Sequence, residues 1–410
     1  MTTHRLTCHG IAGALMAMAV LALSACSPIQ IGSRTLDFGN GGGQTAQTIP
    51  NQPTPMLPSG PAQSFGRGPV QVALLLPLTG DPGMAGVGQS LANASRLAIA
   101  FIEANPNIAE NITISLRDTG GTVGGATAAA SAAVTAGAKL ILGPLKSEEV
   151  TAVGAVGRSS GVPVIGFSNN PVAASPGVYL LSVLPDMEMK RSLTWIKLQG
   201  RRGIAGAFPA TPYGQAQETA FRQQAIIAGF SPTAVYTFST VGEAQQIVSQ
   251  AMEQIKKGMI DALYLPDRAT APSFGALLAQ AGVTPDMVQI VGSADWEGDP
   301  VIAASTQLAG AIYPAVDPAG IAAISADYQR QFGGPPHALA TIAYTATILA
   351  NVNTLSMANP PYNPVLMTSA QGFNGRDGVF RFLGNGRSEY ALVLKRIAPG
   401  GTQVVEPAGL

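Results

Sequence analysis

Charged residues are scarce in this sequence. Asp, Glu, Lys and Arg make up 11% of its 410 residues, and the 23 basic side chains balance the 23 acidic ones. Proteins that bind nucleic acid usually carry a surplus of basic residues concentrated on one face. The even balance therefore predicts no nucleic-acid partner.

Cysteine and histidine are also scarce. The chain has two cysteines, Cys8 and Cys26, and three histidines, His4, His9 and His337. After removal of the N-terminal segment described below, the folded body would retain one histidine and no cysteine able to form a disulfide. This excludes disulfides, thiol nucleophiles and metal sites built on several Cys or His residues. We predict no metal and no cofactor.

One catalytic pattern occurs, at residues 157–161 (GRSSG). It has the spacing of a nucleophile elbow, which requires a strand before the serine and a helix after it. Here a predicted helix precedes the pattern and a predicted strand at 163–168 follows it. His337 is the sole histidine available as a base, and it lies far along the chain. The sequence therefore predicts a protein that is not an enzyme.

Residues 1–25 have the pattern of a secretory signal peptide. Arg5 supplies a positive charge, and an apolar run of signal-peptide length follows from Ile11 to Leu23. The run ends in Leu-Ser-Ala before Cys26, which resembles the lipobox of bacterial lipoproteins. The resemblance implies that Cys26 carries lipid and anchors the mature chain in a membrane. An ordinary signal peptide followed by an incidental cysteine is the alternative.

Residues 26–69 are predicted to be a disordered linker. The segment contains three consecutive glycines at 41–43, and its prolines lie at 50, 53, 55, 58, 61 and 69. Such a composition buries too little apolar surface to offset the entropy lost on ordering. We expect the linker to hold the folded body away from the membrane.

From Val70 onward, predicted strands alternate with predicted helices. Residues 70–77 (VQVALLLP) form an almost unbroken apolar run, as expected of a strand covered on both faces. Alternation of this kind predicts an α/β fold with two doubly wound parallel sheets. Gly-Asn-Gly at 384–386 predicts a hairpin turn. Ligands of doubly wound folds bind outside the carboxyl ends of the strands, here between the two domains.

Four segments resemble the leucine/isoleucine/valine-binding group of type I periplasmic binding proteins. They are residues 72–80 (VALLLPLTG), 142–147 (LGPLKS), 162–165 (VPVI) and the closing stretch 373–387. The resemblance implies two lobes joined by three crossings, near residues 184–186, 312–314 and 362–364. Lobe 1 is then expected at 70–184 plus 314–362, and lobe 2 at 187–311 plus 365–406.

Ligand contacts in lobe 1 are expected at the turns from strand to helix. A helix N-terminus with a hydroxyl side chain suits a carboxylate, and the resemblance makes Ser147 the carboxylate-binding serine. Its alternative role is a plain helix cap. Ser168 and Asn169 follow the next strand, although the proline at 171 is equally typical of a simple turn. Thr79 ends the first strand and is expected to line the cleft.

In lobe 2, the resemblance makes Tyr213 an aromatic residue near the ligand. Asp295 or Glu297 is placed to bind an ammonium group, and Trp296 is placed to cover the ligand. The alternatives are an aromatic side chain packed beneath a loop and acids that are simply solvated.

The sequence supports two functions. The first is a periplasmic receptor that binds an amino acid or similar small polar ligand for an ABC importer, with the ABC permease as its partner. The second is a penicillin-binding-protein activator, an outer-membrane lipoprotein that contacts a peptidoglycan synthase. Residues 143–153, 162–170 and 182–190 resemble the activators, and Ser27 after the lipobox favours the outer membrane. Against this reading, the linker replaces the large helical N-terminal domain of the best-known activators.

Overall fold

A computed structural model of the chain describes residues 29–31, 34–36, 63–232 and 234–409. The predicted signal peptide, Cys26 and most of the predicted linker lie outside the described residues. The chain divides into two compact units, Met1–Leu57 and Pro58–Leu410. In the first unit, β1 (Ile29–Ile31) pairs antiparallel with β2 (Arg34–Leu36). These two short strands lie within the predicted linker.

The first sheet of the second unit has six strands in the order β3-β5-β4-β6-β7-β8. They are β3 (Gln63–Gly66), β4 (Val70–Leu76), β5 (Ile112–Asp118), β6 (Leu140–Leu142), β7 (Val164–Gly166) and β8 (Val178–Leu180). Helices α1 (Pro82–Ala104), α2 (Val123–Thr135) and α3 (Ser147–Ser160) connect them. Every residue of β4 except Gln71 is buried, because the sheet is covered on both faces.

Strand β3 also lies within residues 26–69, so the folded unit begins before Val70. It pairs antiparallel with β5 at the edge of the sheet. Phe65 packs against the hydrophobic core that contains Leu74 and Ile114 of the first sheet, which we call the first core. The Arg96 guanidinium lies 5.2 Å from the centre of the Phe65 ring. One partly buried aromatic side chain and a backbone ladder hold this edge strand, so it leaves almost no apolar pattern in the sequence.

The second sheet has seven strands in the order β10-β9-β11-β12-β13-β17-β18. They are β9 (Ile204–Pro209), β10 (Ala234–Phe238), β11 (Ala262–Tyr264), β12 (Gln289–Val291), β13 (Ile312–Ala315), β17 (Leu392–Ala398) and β18 (Gly401–Gly409). Its helices are α4 (Pro185–Leu198), α5 (Pro212–Ala228), α6 (Ala244–Lys256), α7 (Ala271–Gln280) and α8 (Pro300–Ala304). Strands β9–β13 are parallel, and β17 and β18 run antiparallel at one edge.

The remaining elements pack on the first sheet, on its helix α1 or on one another. They are α9 (Ala319–Phe332), α10 (Ala340–Asn351), α11 (Asn353–Ser356), α12 (Pro364–Met367) and a small antiparallel sheet of β14 (Phe373–Gly375), β15 (Gly378–Phe382) and β16 (Ser388–Tyr390). Helix α10 lies along α1, where Ser95 Oγ and Thr347 Oγ1 share a hydrogen bond of 2.7 Å. We call the first sheet with these elements the first lobe, and the second sheet with its helices the second lobe.

The C-terminal assignment differs from the one expected from sequence. Phe380, Phe382 and Tyr390 belong to the hydrophobic core of the first lobe, whereas residues 365–406 were expected in the second. The chain passes between the sheets at 181–184, 316–318 and 391, so the third crossing follows β16 and does not lie at 362–364. Phe380 and Phe382 are alternate residues of β15 and point to the same face of the strand. Their spacing predicts a buried face, but only the folded chain shows in which lobe that face is buried.

Candidate functional site

The carboxyl ends of β4, β5, β6 and β7 lie on the same side of the first sheet, because these strands are parallel. We call this side the carboxyl edge; it is distinct from the outermost strands of the sheet. Thr79, Ser147, Ser168 and Asn169 all lie in the turns at this edge. The structure therefore brings the four lobe 1 residues predicted from sequence to the same side of the sheet. This is the edge at which doubly wound folds bind ligands.

Thr79 is held by Asp118, a residue that the sequence analysis did not select. The Thr79 hydroxyl donates to Asp118 Oδ2 at 2.5 Å, and the backbone N–H groups of Leu78 and Gly120 each donate to Asp118 Oδ1 at 2.8 Å. Burial raises the pKa of Asp118, but these hydrogen bonds outweigh it and lower the pKa overall. An ionised Asp118 thus fixes the first loop of the edge. Its position at the end of β5 was the available signal.

The turn before α3 places Ser147 at the first residue of that helix. Gly143 adopts φ +83°, and a Cβ there would lie 2.2 Å from the carbonyl oxygen of Leu75. Lys146 is the N-cap residue and makes no side-chain cap. The Ser147 hydroxyl donates to Glu148 Oε2 at 3.2 Å. Ser147 is therefore not the cap of α3, and the N–H groups of the first turn have no capping side chain.

Lys146 and Glu149 place charge beside this helix start. Lys146 Nζ donates to the carbonyl oxygen of Gly121 at 2.9 Å and lies 4.0 Å from Glu149 Oε1. Burial raises the pKa of Glu149, opposed by Thr119 and by the Lys146 cation. The edge of the first lobe thus combines a partly exposed cation with a buried carboxyl group.

Ser168 and Asn169 belong to a turn. Ser168 is buried, and its hydroxyl oxygen accepts from the Asn170 N–H at 3.2 Å. Asn170 Oδ1 accepts in turn from the Val172 N–H at 3.1 Å. Asn169 is half-buried between these two residues. The turn that the sequence analysis kept as an alternative is present, and Asn169 is the residue of the pair with an accessible side chain.

At the edge of the second sheet, Tyr213 faces the interior of its lobe. Its hydroxyl donates to Ser293 Oγ at 3.1 Å and accepts from Gln217 Nε2 at 2.9 Å. Ser293 Oγ donates to the carbonyl oxygen of Pro266 at 2.7 Å. The structure therefore ties Tyr213 to the loops after β11 and β12.

A buried carboxyl group, Glu188, completes this network. Glu188 Oε2 accepts from the Ala294 N–H at 3.0 Å and from Gln217 Nε2 at 3.3 Å. Tyr264 donates its hydroxyl to Gln217 Oε1 at 2.6 Å. Burial raises the pKa of Glu188 to about 7, and the hydrogen bonds from the Ala294 N–H and the Gln217 amide oppose this rise. Sequence reasoning missed Glu188, although it lies in the 182–190 stretch that resembled the activators.

Asp295, Trp296 and Glu297 have different surroundings in the structure. Asp295 is 41% exposed, with Arg268 Nε 3.7 Å from its carboxylate. Trp296 is 1% exposed and packs in the second core against Tyr313. Its ring fills the interior of the lobe, whereas the sequence analysis expected it over the ligand. Glu297 accepts from Lys395 Nζ at 2.7 Å, so Asp295 is the more available acid of the two.

The two lobes approach each other at this edge. A Cβ on Gly298, in the loop after β12, would lie 3.7 Å from the Ala338 side chain of the first lobe. Burial lowers the pKa of the neighbouring His337, and the Arg268 cation lowers it further. The loops that carry Arg268 and Asp295 therefore adjoin the first lobe.

The part of the chain that the structure describes offers neither a metal-binding cluster nor a membrane-spanning helix. Within it, no group of three or more His, Cys, Asp or Glu side chains is arranged to hold a metal ion. No helix there is long and apolar enough to cross a membrane.

Known proteins provide an independent comparison. Residues 69–384 match the family model described as periplasmic binding protein. Among solved structures, an ABC transporter substrate-binding protein from Desulfitobacterium hafniense has 17% identity and a TM-score of 0.66, over 82% of this chain and 99% of that one. A leucine-, isoleucine-, valine-, threonine- and alanine-binding protein from Brucella ovis has 15% identity and a TM-score of 0.64, over 84% and 94%.

A further solved structure is the C-domain of LpoA from Haemophilus influenzae, a regulator of PBP1A. It has 18% identity and a TM-score of 0.60, over 82% of this chain and 99% of that one. At these identities the structures establish a shared fold. Among curated proteins, no sequence matches this chain.

Proposed function

Because the chain belongs to the periplasmic binding protein family, we propose that it binds a small polar solute of amino-acid size between its lobes, for delivery to an ABC importer. We also propose that Cys26 carries its lipid anchor and that the protein lies in the periplasm; anchoring at the outer membrane belongs with the second candidate function. The fold predicted from sequence, two doubly wound lobes of the type I class, is the fold of the family.

The start of α3 is the observation that carries this proposal. Its first-turn N–H groups have no capping side chain, and Ser147 adds a hydroxyl beside them. Unpaired N–H groups at a helix start are suited to a carboxylate. Asp295 supplies a partly exposed acid at the edge of the second sheet for the ammonium group of the same ligand. Asn169 and Tyr213 are the neighbouring proposed contacts.

A thermal-shift screen of residues 58–410 against amino acids and peptidoglycan fragments tests the proposal. Ligand at a hundred times its dissociation constant stabilises a protein by about 2.7 kcal/mol, which for a unit of this size raises the melting temperature by about 4 °C. Ser147→Ala is expected to reduce the shift. Ser159→Ala, at the other end of α3 with its hydroxyl bonded to Val156, is the matched control and is expected to leave it unchanged. No shift with any compound would contradict the proposal.

A second candidate function is activation of a peptidoglycan synthase, as the alternative from sequence states. The specific observation in its favour is the shared fold with the C-domain of LpoA. The test is co-purification of the full chain with a class A penicillin-binding protein, together with the rate of glycan polymerisation in its presence. Stimulation without a thermal shift from any small molecule would favour activation over solute binding. A thermal shift abolished by Ser147→Ala, with no stimulation, would favour solute binding.

A further inference from the structure

The first lobe carries a concave groove of about 460 Å³ that is lined by none of the residues in the turns after β4, β5, β6 and β7. We call it the aromatic groove. It lies between Phe101 of α1, helix α10, and strands β14 and β15. Its lining includes Phe101, Tyr344, Ile348, Phe373, Arg376 and Phe380. The volume falls in the range of pockets that bind small molecules, about 300–1,000 Å³.

Arg376 gives this apolar groove a positive charge. Its guanidinium carbon lies 5.0 Å from the centre of the Tyr344 ring and 5.9 Å from that of Phe101. Its Nη2 donates to the Tyr344 hydroxyl at 3.3 Å. Among the described residues, no carboxylate lies within 4.0 Å of Arg376, unlike Arg381 and Arg387 nearby, which pair with Glu389 and Asp186. The groove thus contains a cation that no acid of the described chain neutralises.

The position of Arg376 is fixed by the backbone. Its N–H donates to Thr345 Oγ1 at 3.0 Å, on the buried face of α10. The preceding Gly375 lies so close to Thr345 that a Cβ there would be 2.6 Å from the threonine methyl group. The guanidinium is therefore held over two aromatic rings before any ligand arrives, which reduces the entropy lost on binding.

Phe101 provides an accessible apolar surface beside the cation. Its side chain is 42% exposed, and Ile348, Val352 and Phe373 are only partly buried. Tyr344, Leu349 and Phe380 are buried beneath them. The groove therefore combines a wide apolar floor with one unpaired guanidinium.

We propose that the aromatic groove is a second ligand site, which binds a small organic anion with an apolar body through Arg376. The carboxylate or sulfonate of the ligand pairs with the guanidinium, and its chain or ring lies against Phe101, Ile348 and Phe373. The proposal does not depend on the function assigned to the edges of the sheets, because no residue is shared with them.

Fluorescence titration with 8-anilinonaphthalene-1-sulfonate, an aromatic sulfonate, tests the site on residues 58–410. Octanoate serves as a competing carboxylate. Arg376→Gln keeps a polar side chain and removes the charge, and it is expected to weaken binding of both probes by about tenfold to a hundredfold. Arg67→Gln, at an arginine that is 80% exposed on the same lobe, is the matched control and is expected to bind as the unaltered protein does.

Phe101→Ala provides a second variant, at a ring that is 42% exposed and belongs to none of the buried cores. It is expected to weaken binding severalfold with the melting temperature nearly unchanged. Equal affinity of Arg376→Gln and the unaltered protein, or failure of octanoate to displace the dye, would overturn the proposal. If Arg376→Gln loses its near-ultraviolet circular dichroism, the Phe101→Ala titration decides, and unchanged affinity there would also overturn it.

Discussion

Glu188 is expected to make the stability of the second lobe depend on pH. Its carboxyl group is buried and hydrogen-bonded to the Ala294 N–H and Gln217, and burial raises its pKa to about 7. In the unfolded chain the same group titrates near its ordinary value of 4.5. Between these two values the folded state binds more protons, so the free energy of unfolding falls as pH rises.

The magnitude follows from the difference between the two pKa values. At about 1.4 kcal/mol for each pH unit, the raised pKa removes about 3 kcal/mol of stability between pH 4.5 and pH 8. Glu188→Gln stays neutral throughout and keeps an oxygen to accept from the Ala294 N–H. The variant is therefore expected to match the unaltered protein near pH 4.5 and to exceed its stability by about 3 kcal/mol at pH 8.

Urea unfolding from pH 4.5 to pH 8, followed by Trp fluorescence, measures this difference. Burial also raises the pKa values of Asp295 and Asp377, but these groups are present in both proteins and largely cancel in the comparison. Glu253→Gln, at a side chain that is 82% exposed, is the control and is expected to stay within a few tenths of a kcal/mol of the unaltered protein. A stability difference between Glu188→Gln and the unaltered protein that does not change with pH would refute the reasoning.

Three further substitutions test the packing around the site. Gly143→Ala is expected to lower stability by more than 2 kcal/mol in urea unfolding. Gly137→Ala, at a similar φ but in open space, is expected to cost about 1 kcal/mol. Equal costs would contradict the close approach of Gly143 to the carbonyl oxygen of Leu75. Phe382→Ala is expected to cost about 3–5 kcal/mol by the same measurement, and a loss below 1 kcal/mol would contradict its place in the first core. Glu297→Gln leaves the buried Lys395 ammonium without its acid and is expected to cost about 2 kcal/mol at pH 7, a loss that should shrink when Lys395 is replaced by Met.

Much of the fold was predictable because it rests on local pattern. The apolar run at 70–76 and the alternation of strands with helices predicted two parallel sheets, and the family match confirms the fold class. Strands β3 and β18 were not predicted as separate elements. Both are antiparallel edge strands, so long-range backbone pairing defines them more than any apolar repeat.

The candidate site was predictable in position but less so in chemistry. Thr79, Ser147 and Ser168 reach one edge because parallel strands place their following turns together. The sequence did not show that Asp295 is partly exposed whereas its neighbour Trp296 lies in the core. One step along an irregular turn reverses the direction of a side chain, and the surrounding core determines which direction is buried.

The sequence by itself determined the class of the fold, the order of most elements and the absence of cysteine chemistry from the body of the chain, because each depends on composition or on periodicity within one segment. The tertiary structure alone decided that residues 373–390 join the first lobe, that Glu188 is buried beside Gln217, and that Arg376 lies over two rings with no carboxylate of the described residues within 4.0 Å. These features depend on contacts between residues far apart in the chain. Burial, pKa and charge pairing are properties of such contacts, and local pattern carries no record of them.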